Sequence, residues 1–556
     1  MIAFGSNINI EPLKRYFDES ESYFIGYDKY IFEMLNENSV LYDEKIDKVF
    51  IFIDLKEMLK DNFFNLSNFE DKMNLKKTID DFFDVVERFL IKSKKILIIN
   101  NAFLDRSTYL TYLNFNSEKY SFLDVENYYN EKLRVLKKEY NNLIIFDWQR
   151  IVFEYGYKNL TDNKFWYLGR IKFNSFCFEI IKDELNNILK AYTGKIKKVL
   201  VLDLDNTLWG GIIGEDGIDG IKLSEDGEGK IYRDFQKNIK ALKDLGIILT
   251  ICSKNNIDDV KEVFEKHPLM VLKWDDFIIK KINWNNKVEN IKSIAEELNV
   301  GIDSLVFIDD NPVERNIVKE NLKEVEVVNF PENIENLVNW FIDVIYEFFP
   351  KINLTKEDIK KTEQYKANLK RSELLKKVSD IEDFIKNLNI ELHIYIDNKN
   401  FISRAAQLTQ KTNQFNLTTK RYTENDIRTF MESEEKIVFL LEYKDKFQNE
   451  GIIGEAIVKI ESDRAVLDTF LMSCRVIGRK VEYTFLYEIL NYLEQMKIKD
   501  ISIEFIPTKK NKFVAKEFFE KINFINNENI FIAKIDDLKK HLEKFKLLER
   551  SKIDRN

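Results

Sequence analysis

The sequence predicts a multidomain α/β protein built around a doubly wound parallel sheet, with an α/β domain before it and a smaller α+β domain after it. Three observations predict this. The chain has 556 residues, too many for one hydrophobic core. Short apolar runs alternate with amphipathic segments of helical spacing, the pattern of strands joined by crossover helices. Within residues 191–350, three apolar runs end in polar clusters: Asp203 with Asp205, Ser253, and Asp309 with Asp310. Ligands of doubly wound sheets bind beyond the carboxyl ends of the strands, so these clusters mark the candidate site.

Composition narrows the class. Hydrophobic residues make up 44% and charged residues 33% of the chain, as in a soluble globular protein. The net charge of −9 is spread over mixed Lys/Glu surfaces, with no basic block for nucleic acid. No apolar run approaches the roughly eighteen residues of a membrane span. The N-terminus, MIAFGSNINIEPLKRYF, has neither the basic region nor the apolar core of a signal peptide. A cytoplasmic protein with no nucleic-acid or membrane partner is expected. Cys177, Cys252 and Cys474 form no CxxC pair, which argues against a disulfide framework or a zinc site. His267, His393 and His541 are the only histidines, a scarcity that removes most histidine-dependent mechanisms.

In chain order, residues 1–190 offer buried strands at 48–54, 95–100 and 143–147 and a helix over 75–93. Gly5-Ser6-Asn7 follows the first apolar run, where an α/β fold presents a nucleophile, but no histidine in this region supplies the base such a serine needs. Residues 191–350 offer four strands, at 199–204, 246–252, 304–308 and 324–328, with helices over 230–245, 258–266 and 283–298. Residues 351–390 are polar and lysine-rich and read as a solvated helical connector. Residues 391–535 are a further α/β pattern: strands at 438–443 and 454–460 read as antiparallel neighbours, a third lies at 465–472, and Arg475-Val-Ile-Gly478-Arg479-Lys480 opens a helix over 481–496. Residues 536–556 read as a charged tail, either a helix or a disordered end.

The chemistry that fits the central clusters is phosphoryl transfer. Asp203 and Asp205 are two residues apart at a strand end, so their side chains leave on the same side. Leaving both ionised there is costly unless a cation or a phosphoryl group resolves the charge. Asp203 can attack phosphorus and form an aspartyl-phosphate, and Asp205 can carry the proton. Asp309 or Asp310 can complete a Mg²⁺ site of hard oxygen ligands with Asp203 and a backbone carbonyl, and Asp205 is a further candidate ligand. Ser253 can hydrogen-bond a phosphate oxygen and Lys287 can neutralise its charge. Asn206 and Thr207, with Lys254 and Asn255, complete the residues expected around the phosphate.

DLDNT, a strand-end serine, a later lysine and DD resemble the four-motif pattern of the haloacid dehalogenase superfamily. The strings LDLDNTLWGGIIGEDG, ICSKNN, NWNNK and FIDDNPVER, with LTQKTNQFNLTTKRY and LMSCRVIGRKVE further on, resemble its FkbH-like branch over residues 190–525. The short interval after the first motif leaves little room for a cap, which suits a bulky or protein-bound substrate. The resemblance implies an SGNH-hydrolase-like domain at 1–190, without a working triad here, and a GNAT-like domain at 391–535. It further implies a glyceryl transferase/phosphatase that takes the glyceryl unit of 1,3-bisphosphoglycerate, removes phosphate and loads the acyl group as a thioester on the phosphopantetheine arm of an acyl carrier protein. Cys252, beside Ser253 and with Lys254 to favour its thiolate, is the candidate acyl-carrying thiol, and Cys474 is its competitor. Arg475, Gly478 and Arg479 are candidates for a pantetheine site, although Lys480 stands where an acetyltransferase usually has Gly or Ala. Asn413, Gln414 and Asn416 form an amide cluster that is either a ligand group or a polar loop. The competing expectations are a phosphatase for a small phosphate ester and a degenerate carrier-binding module.

Overall fold

A computed structural model describes residues 1–556 except 66, 69–71, 106–108, 355, 379, 474–475, 509, 513–517, 519–520, 523–524, 528–529, 546–550 and 555–556. The chain divides into two compact units, Met1–Asn187 and Ile188–Asn556. In the first, strands β1 (Ile2–Ser6), β2 (Ser22–Phe24), β3 (Lys48–Phe52), β4 (Ile96–Asn100) and β5 (Leu143–Phe146) form a parallel sheet in the order β2-β1-β3-β4-β5. Val49, Phe50, Ile51, Leu97, Ile98 and Ile99 are fully buried, as strands covered by helices on both faces require. Ser6 is buried and accepts a hydrogen bond from the Ile8 N–H. Asn7 is tied to the backbone of Asp54, and the Asp54 carboxylate pairs with Lys172. The Ser6 hydroxyl therefore stands among partnered polar groups rather than beside a base.

In the second unit, β6 (Val199–Leu202), β7 (Ile248–Ser253), β8 (Phe277–Ile282), β9 (Leu305–Ile308) and β10 (Glu326–Val327) form a wholly parallel sheet in the order β10-β9-β6-β7-β8. Strand β6 is central because its four residues, Val-Leu-Val-Leu, are fully buried and the chain leaves it first toward β7 and later returns on its other side at β9. That reversal opens a crevice at the carboxyl end of β6. The sheet has one strand more than the sequence suggests. β8, Phe-Ile-Ile-Lys-Lys-Ile, hides as an edge strand because Lys280 and Lys281 interrupt its apolar run. A single short helix, Ile213–Gly220, and a brief loop separate β6 from helix Gly227–Asp244, so no cap covers the crevice from this insert.

The C-terminal sheet contains β11 (Glu391–Ile396), β12 (Phe415–Asn416), β13 (Lys436–Lys444), β14 (Asn449–Glu461), β15 (Arg464–Met472), β16 (Asp500–Glu504), β17 (Ile525–Asn527), β18 (Ile530–Lys534) and β19 (Ser551–Asp554). β11, β13, β14 and β15 are antiparallel neighbours, and β15 then pairs in parallel with β16 over Arg464–Leu467. Helix Val481–Gln495 packs on one face and helices Ile402–Lys411 and Glu424–Met431 on the other. The predicted antiparallel pair and third strand are present, and the domain is α+β.

The connector corrects one expectation. It is helical, at Lys361–Lys377 and Ile381–Leu388, but it is not merely solvated. Arg371 is buried and forks onto Asp445 (2.7 and 2.9 Å), with Glu450 at 2.5 Å. Tyr365 and Leu369 of the same helix pack against the core formed with Ile294 and Leu298, on the helix that begins at Lys287. The connector thus grips both the central sheet and the β13–β14 hairpin.

Candidate active site

Four of the predicted residues converge at the carboxyl ends of β6 and β9. The register sets Leu202 beside Ile308, and the Asp203 N–H donates to the Ile308 carbonyl (3.0 Å), which seats Asp203 next to Asp309. Carboxylate oxygens of Asp203, Asp309 and Asp310 lie within 4.8 Å of one another. Lys287 is the first residue of helix Lys287–Leu298, whose start is capped by Asn286. Its ammonium lies 3.1 Å from Asp203 Oδ2 and 2.5 Å from Asp309 Oδ2, and its side chain is only 3% exposed. Helix N-termini are also electropositive, so Lys287 and its helix face the carboxylates with the same sign.

Burial, and then the charge of Asp203, push the carboxyls of Asp309 and Asp310 up to about 6. Burial works against the Lys287 ammonium, but Asp203 and Asp309 outweigh it and hold its pKa above the usual lysine value. One cation does not neutralise three carboxylates. Asp203 Oδ1 is moreover buried without a hydrogen-bond partner, a position that a metal ion or an electrophile can fill. An all-oxygen, carboxylate-rich donor set suits a hard divalent cation of the Mg²⁺ kind. These residues fit such an ion.

The remaining groups surround this cluster. Asp205 stands apart from the converging carboxylates. Its Oδ1 accepts from Trp209 Nε1 (2.9 Å) and the Ile213 N–H (3.1 Å), and its Oδ2 accepts from Asn255 Nδ2 (2.9 Å). Asn255 also donates to Ser253 Oγ (3.3 Å), so one amide joins Asp205 to the end of β7. Thr207 Oγ1 is buried and unpartnered. Arg315 Nη1 donates to the carbonyls of Asp309 (2.7 Å) and Asp310 (2.6 Å), fixing the turn after β9. Trp209, Arg315 and Asn311, whose N–H donates to Asp309 Oδ1 (2.9 Å), were not assigned roles from the sequence. Their signal lay in the same strings: Trp209 four residues after Asp205, and Asn311 two and Arg315 six residues after Asp309.

No family model matches the chain, and no curated protein matches it. Among solved structures, the N-terminal part of the Bacteroides fragilis protein BF1531, which contains a phosphatase domain complexed with Mg, is 30% identical. The match covers 64% of this chain and 94% of that one, with a TM-score of 0.58. The chain belongs to the haloacid-dehalogenase-type phosphatases. Acetyltransferases also match a quarter of the chain. The ribosomal-protein-S18-alanine N-acetyltransferase of Escherichia coli is 14% identical over 26% of this chain and 94% of its own (TM-score 0.20). A GNAT-family acetyltransferase of Streptococcus pneumoniae is 14% identical over 26% and 99% (TM-score 0.22). At such scores they add nothing to the strand order described above.

Several expected roles in this phosphatase are corrected by its geometry. Asn206 is held by its own loop. It adopts a left-handed φ of 52°, its Oδ1 accepts from the Gly211 N–H (2.8 Å) and its own N–H donates to the Gly211 carbonyl, which closes the loop. Lys254 pairs with Glu314 at 2.6 Å and is not the cation acting on Cys252. Cys252 is fully buried in the core with Val199, Val201 and Phe307, and burial pushes its thiol up to about 12. It is an unreactive thiol, not a thiolate. Cys474 and Arg475 lie outside the described residues. Gly478 adopts a φ of 82° in the turn before helix Val481–Gln495. Arg479 is turned inward, its guanidinium 5.2 Å over the Tyr443 ring and 3.9 Å from Asp445. The amide cluster is structural at one residue: Asn416 is fully buried, donating to the Thr412 carbonyl and accepting from the Thr419 N–H. Beyond the short parallel ladder with β16, β15 is taken up by this segment. Phe415 and Asn416 pair with Met472 and Leu471, and the Leu417 carbonyl accepts from the Ile506 N–H. The strand edge that an extended pantetheine arm would need is filled by the chain itself.

Proposed function

We propose that the protein is a Mg²⁺-dependent phosphatase and glyceryl transferase that draws on 1,3-bisphosphoglycerate and loads an acyl carrier protein. The observation that carries the phosphatase part is Asp203 Oδ1, buried and unpartnered beside two further carboxylates and Lys287. Asp203, Asp309 and Asp310 would hold Mg²⁺, which when bound neutralises these carboxylates and the phosphoryl oxygens. Asp203 attacks the phosphorus of the 3-phosphate ester and forms an aspartyl-phosphate as the ester oxygen leaves. Asp205, held by Trp209 and Asn255, gives that oxygen its proton and takes one back from the water that hydrolyses the aspartyl-phosphate. Ser253 and Lys287 hold phosphate oxygens while charge shifts among them.

Support for the transfer part is the resemblance over residues 190–525 and the uncapped crevice, which admits a protein-borne thiol. The acyl-phosphate carbon is open to direct attack. The carrier thiol forms the S–C bond, the C–O bond to phosphate breaks, and phosphate departs with the thiol proton. The buried Cys252 takes no part in this route. A phosphatase for a small phosphate ester is the second reading, favoured by the inward Arg479 and the filled edge of β15.

The test incubates the full chain with Mg²⁺, 1,3-bisphosphoglycerate and a holo carrier protein, followed by phosphate assay and intact mass of the carrier. Phosphate release with no glyceryl mass on any carrier removes the transferase and leaves the phosphatase. Asp203→Asn should abolish release from the 3-position, and unchanged release there would mean the nucleophile is misassigned.

A further inference from the structure

We propose that Ile212, Ile257, Trp284 and Val313 form an apolar collar at the mouth of the central crevice, and that this collar selects phosphate monoesters whose leaving group continues into an apolar chain. Five large hydrophobic side chains are exposed between residues 199 and 328. One, Leu245, lies at the amino ends of the strands, where helix Gly227–Asp244 leads into β7. The other four stand one on each segment that leaves β6, β7, β8 and β9 at its carboxyl end: Ile212, Ile257, Trp284 and Val313. Trp284 is 75% exposed and Val313 62%. Single exposed hydrophobics are ordinary on a protein surface. One on each of four segments around the same crevice is not scatter, and none of the four belongs to the hydrophobic core of this domain.

Each of the four is tied to the site by its chain neighbours. The N–H of Ile213, next to Ile212, donates to Asp205 Oδ1 (3.1 Å). Asn255, two residues before Ile257, donates to Asp205 and to Ser253. The N–H of Asn283, next to Trp284, donates to the Ser253 carbonyl (3.1 Å), and Lys287 follows three residues later. The N–H of Asn311, two residues before Val313, donates to Asp309 Oδ1. A phosphate held by Asp203, Ser253 and Lys287 sits at the ends of buried strands, so the rest of its molecule must leave between these loops. No cap from the insert encloses that part, and its recognition falls to the loops themselves. Asn256, Asn286 and Asn311 are engaged in capping the helices that follow them, and Lys254 is paired with Glu314. The four apolar side chains have no such role in the fold. A chain that crosses them takes their surface out of water, which a short polar remainder does not. The inference rests on the phosphatase part of the reading above and not on glyceryl transfer.

The experiment is calorimetric titration of the full chain, and of W284A and V313S, with methyl-, butyl- and octylphosphonate in the presence of Mg²⁺. These ligands keep the phosphoryl end, lengthen only the chain and are not hydrolysed. Each fully buried methylene allows a gain of about fourfold, so an affinity that rises roughly tenfold or more from methyl to octyl supports the collar. In W284A, octylphosphonate should lose roughly tenfold more affinity than methylphosphonate loses, and in V313S a smaller excess in the same direction. No binding of octylphosphonate, equal affinity for all three ligands, or equal losses for the long and the short ligand in W284A overturns the proposal. Hydrolysis of acetyl phosphate by the same protein separates it from the reading it rests on. Chain-length-dependent binding without hydrolysis counts against the phosphatase alone, and hydrolysis with binding that ignores chain length counts against the collar alone.

Discussion

Replacing Lys287 by methionine is the sharpest perturbation of the central site. Its ammonium stands 3.1 Å from Asp203 and 2.5 Å from Asp309. At an effective dielectric of about 20, these separations correspond to gross attractions of about 5 and about 7 kcal/mol. Burying the ammonium offsets several kcal/mol of this, and breaking a buried pair by deleting one partner costs about 3–5 kcal/mol. For a domain of this size, that corresponds to a fall in Tm of roughly 6–20 °C in EDTA. The deficit should depend on pH. Lys287 lowers the pKa of both Asp309 and Asp310, so its loss raises them further above about 6. A carboxyl whose folded pKa exceeds its unfolded one binds protons more tightly in the native state. The native state therefore gains stability as pH falls through the folded value and loses it as pH rises. The Lys287→Met deficit should be largest above pH 7, shrink toward pH 5, and be partly recovered by Mg²⁺ at pH 7.5. Circular-dichroism melts at both pH values, with EDTA and with Mg²⁺, measure it. A deficit below about 1 kcal/mol, or one independent of pH and Mg²⁺, would refute the argument.

Trp209→Phe removes the 2.9 Å hydrogen bond to Asp205 while keeping an aromatic ring in place. A hydrogen bond to a charged group contributes about 1.5–3 kcal/mol, so kcat for phosphate release should fall roughly 10- to 100-fold with KM little changed, and an unchanged kcat removes the positioning role. Arg371→Met takes the buried guanidinium away from the carboxylates of Asp445 and Glu450, and urea unfolding should show a loss of about 3–5 kcal/mol. Adding Glu450→Gln should recover part of it, and no recovery would mean that the pairing is not the cause. Cys252→Ala should leave phosphate release and any carrier loading intact. Its thiol, pushed up to about 12, should resist iodoacetamide at pH 8 until the protein unfolds, and rapid labelling of the native protein seen by mass spectrometry contradicts its burial.

The sequence by itself determined four of the central sheet's five strands and the place of its site. Short continuous apolar runs rich in β-branched residues, such as Val199–Leu202, read as buried strands, and two aspartates directly beyond one of them have no structural reason to be there. Strand β8 escaped because an edge strand tolerates Lys280 and Lys281, which break the apolar signal. Periodicity reports which face of an element is buried, but not which distant residue meets it. Only the tertiary structure could decide that Lys287 joins Asp203 to Asp309, that Lys254 is taken by Glu314, and that Arg371 turns a lysine-rich helix into a clamp. The same holds for Cys252, whose neighbour Ser253 lines the site while its own side chain enters the core, because successive strand residues face opposite ways. Asp203 and Asp205 looked equivalent at two residues' spacing. The fold separates them: one carboxylate keeps an unpartnered oxygen beside a cation, and the other is held by an indole, an amide and a backbone N–H.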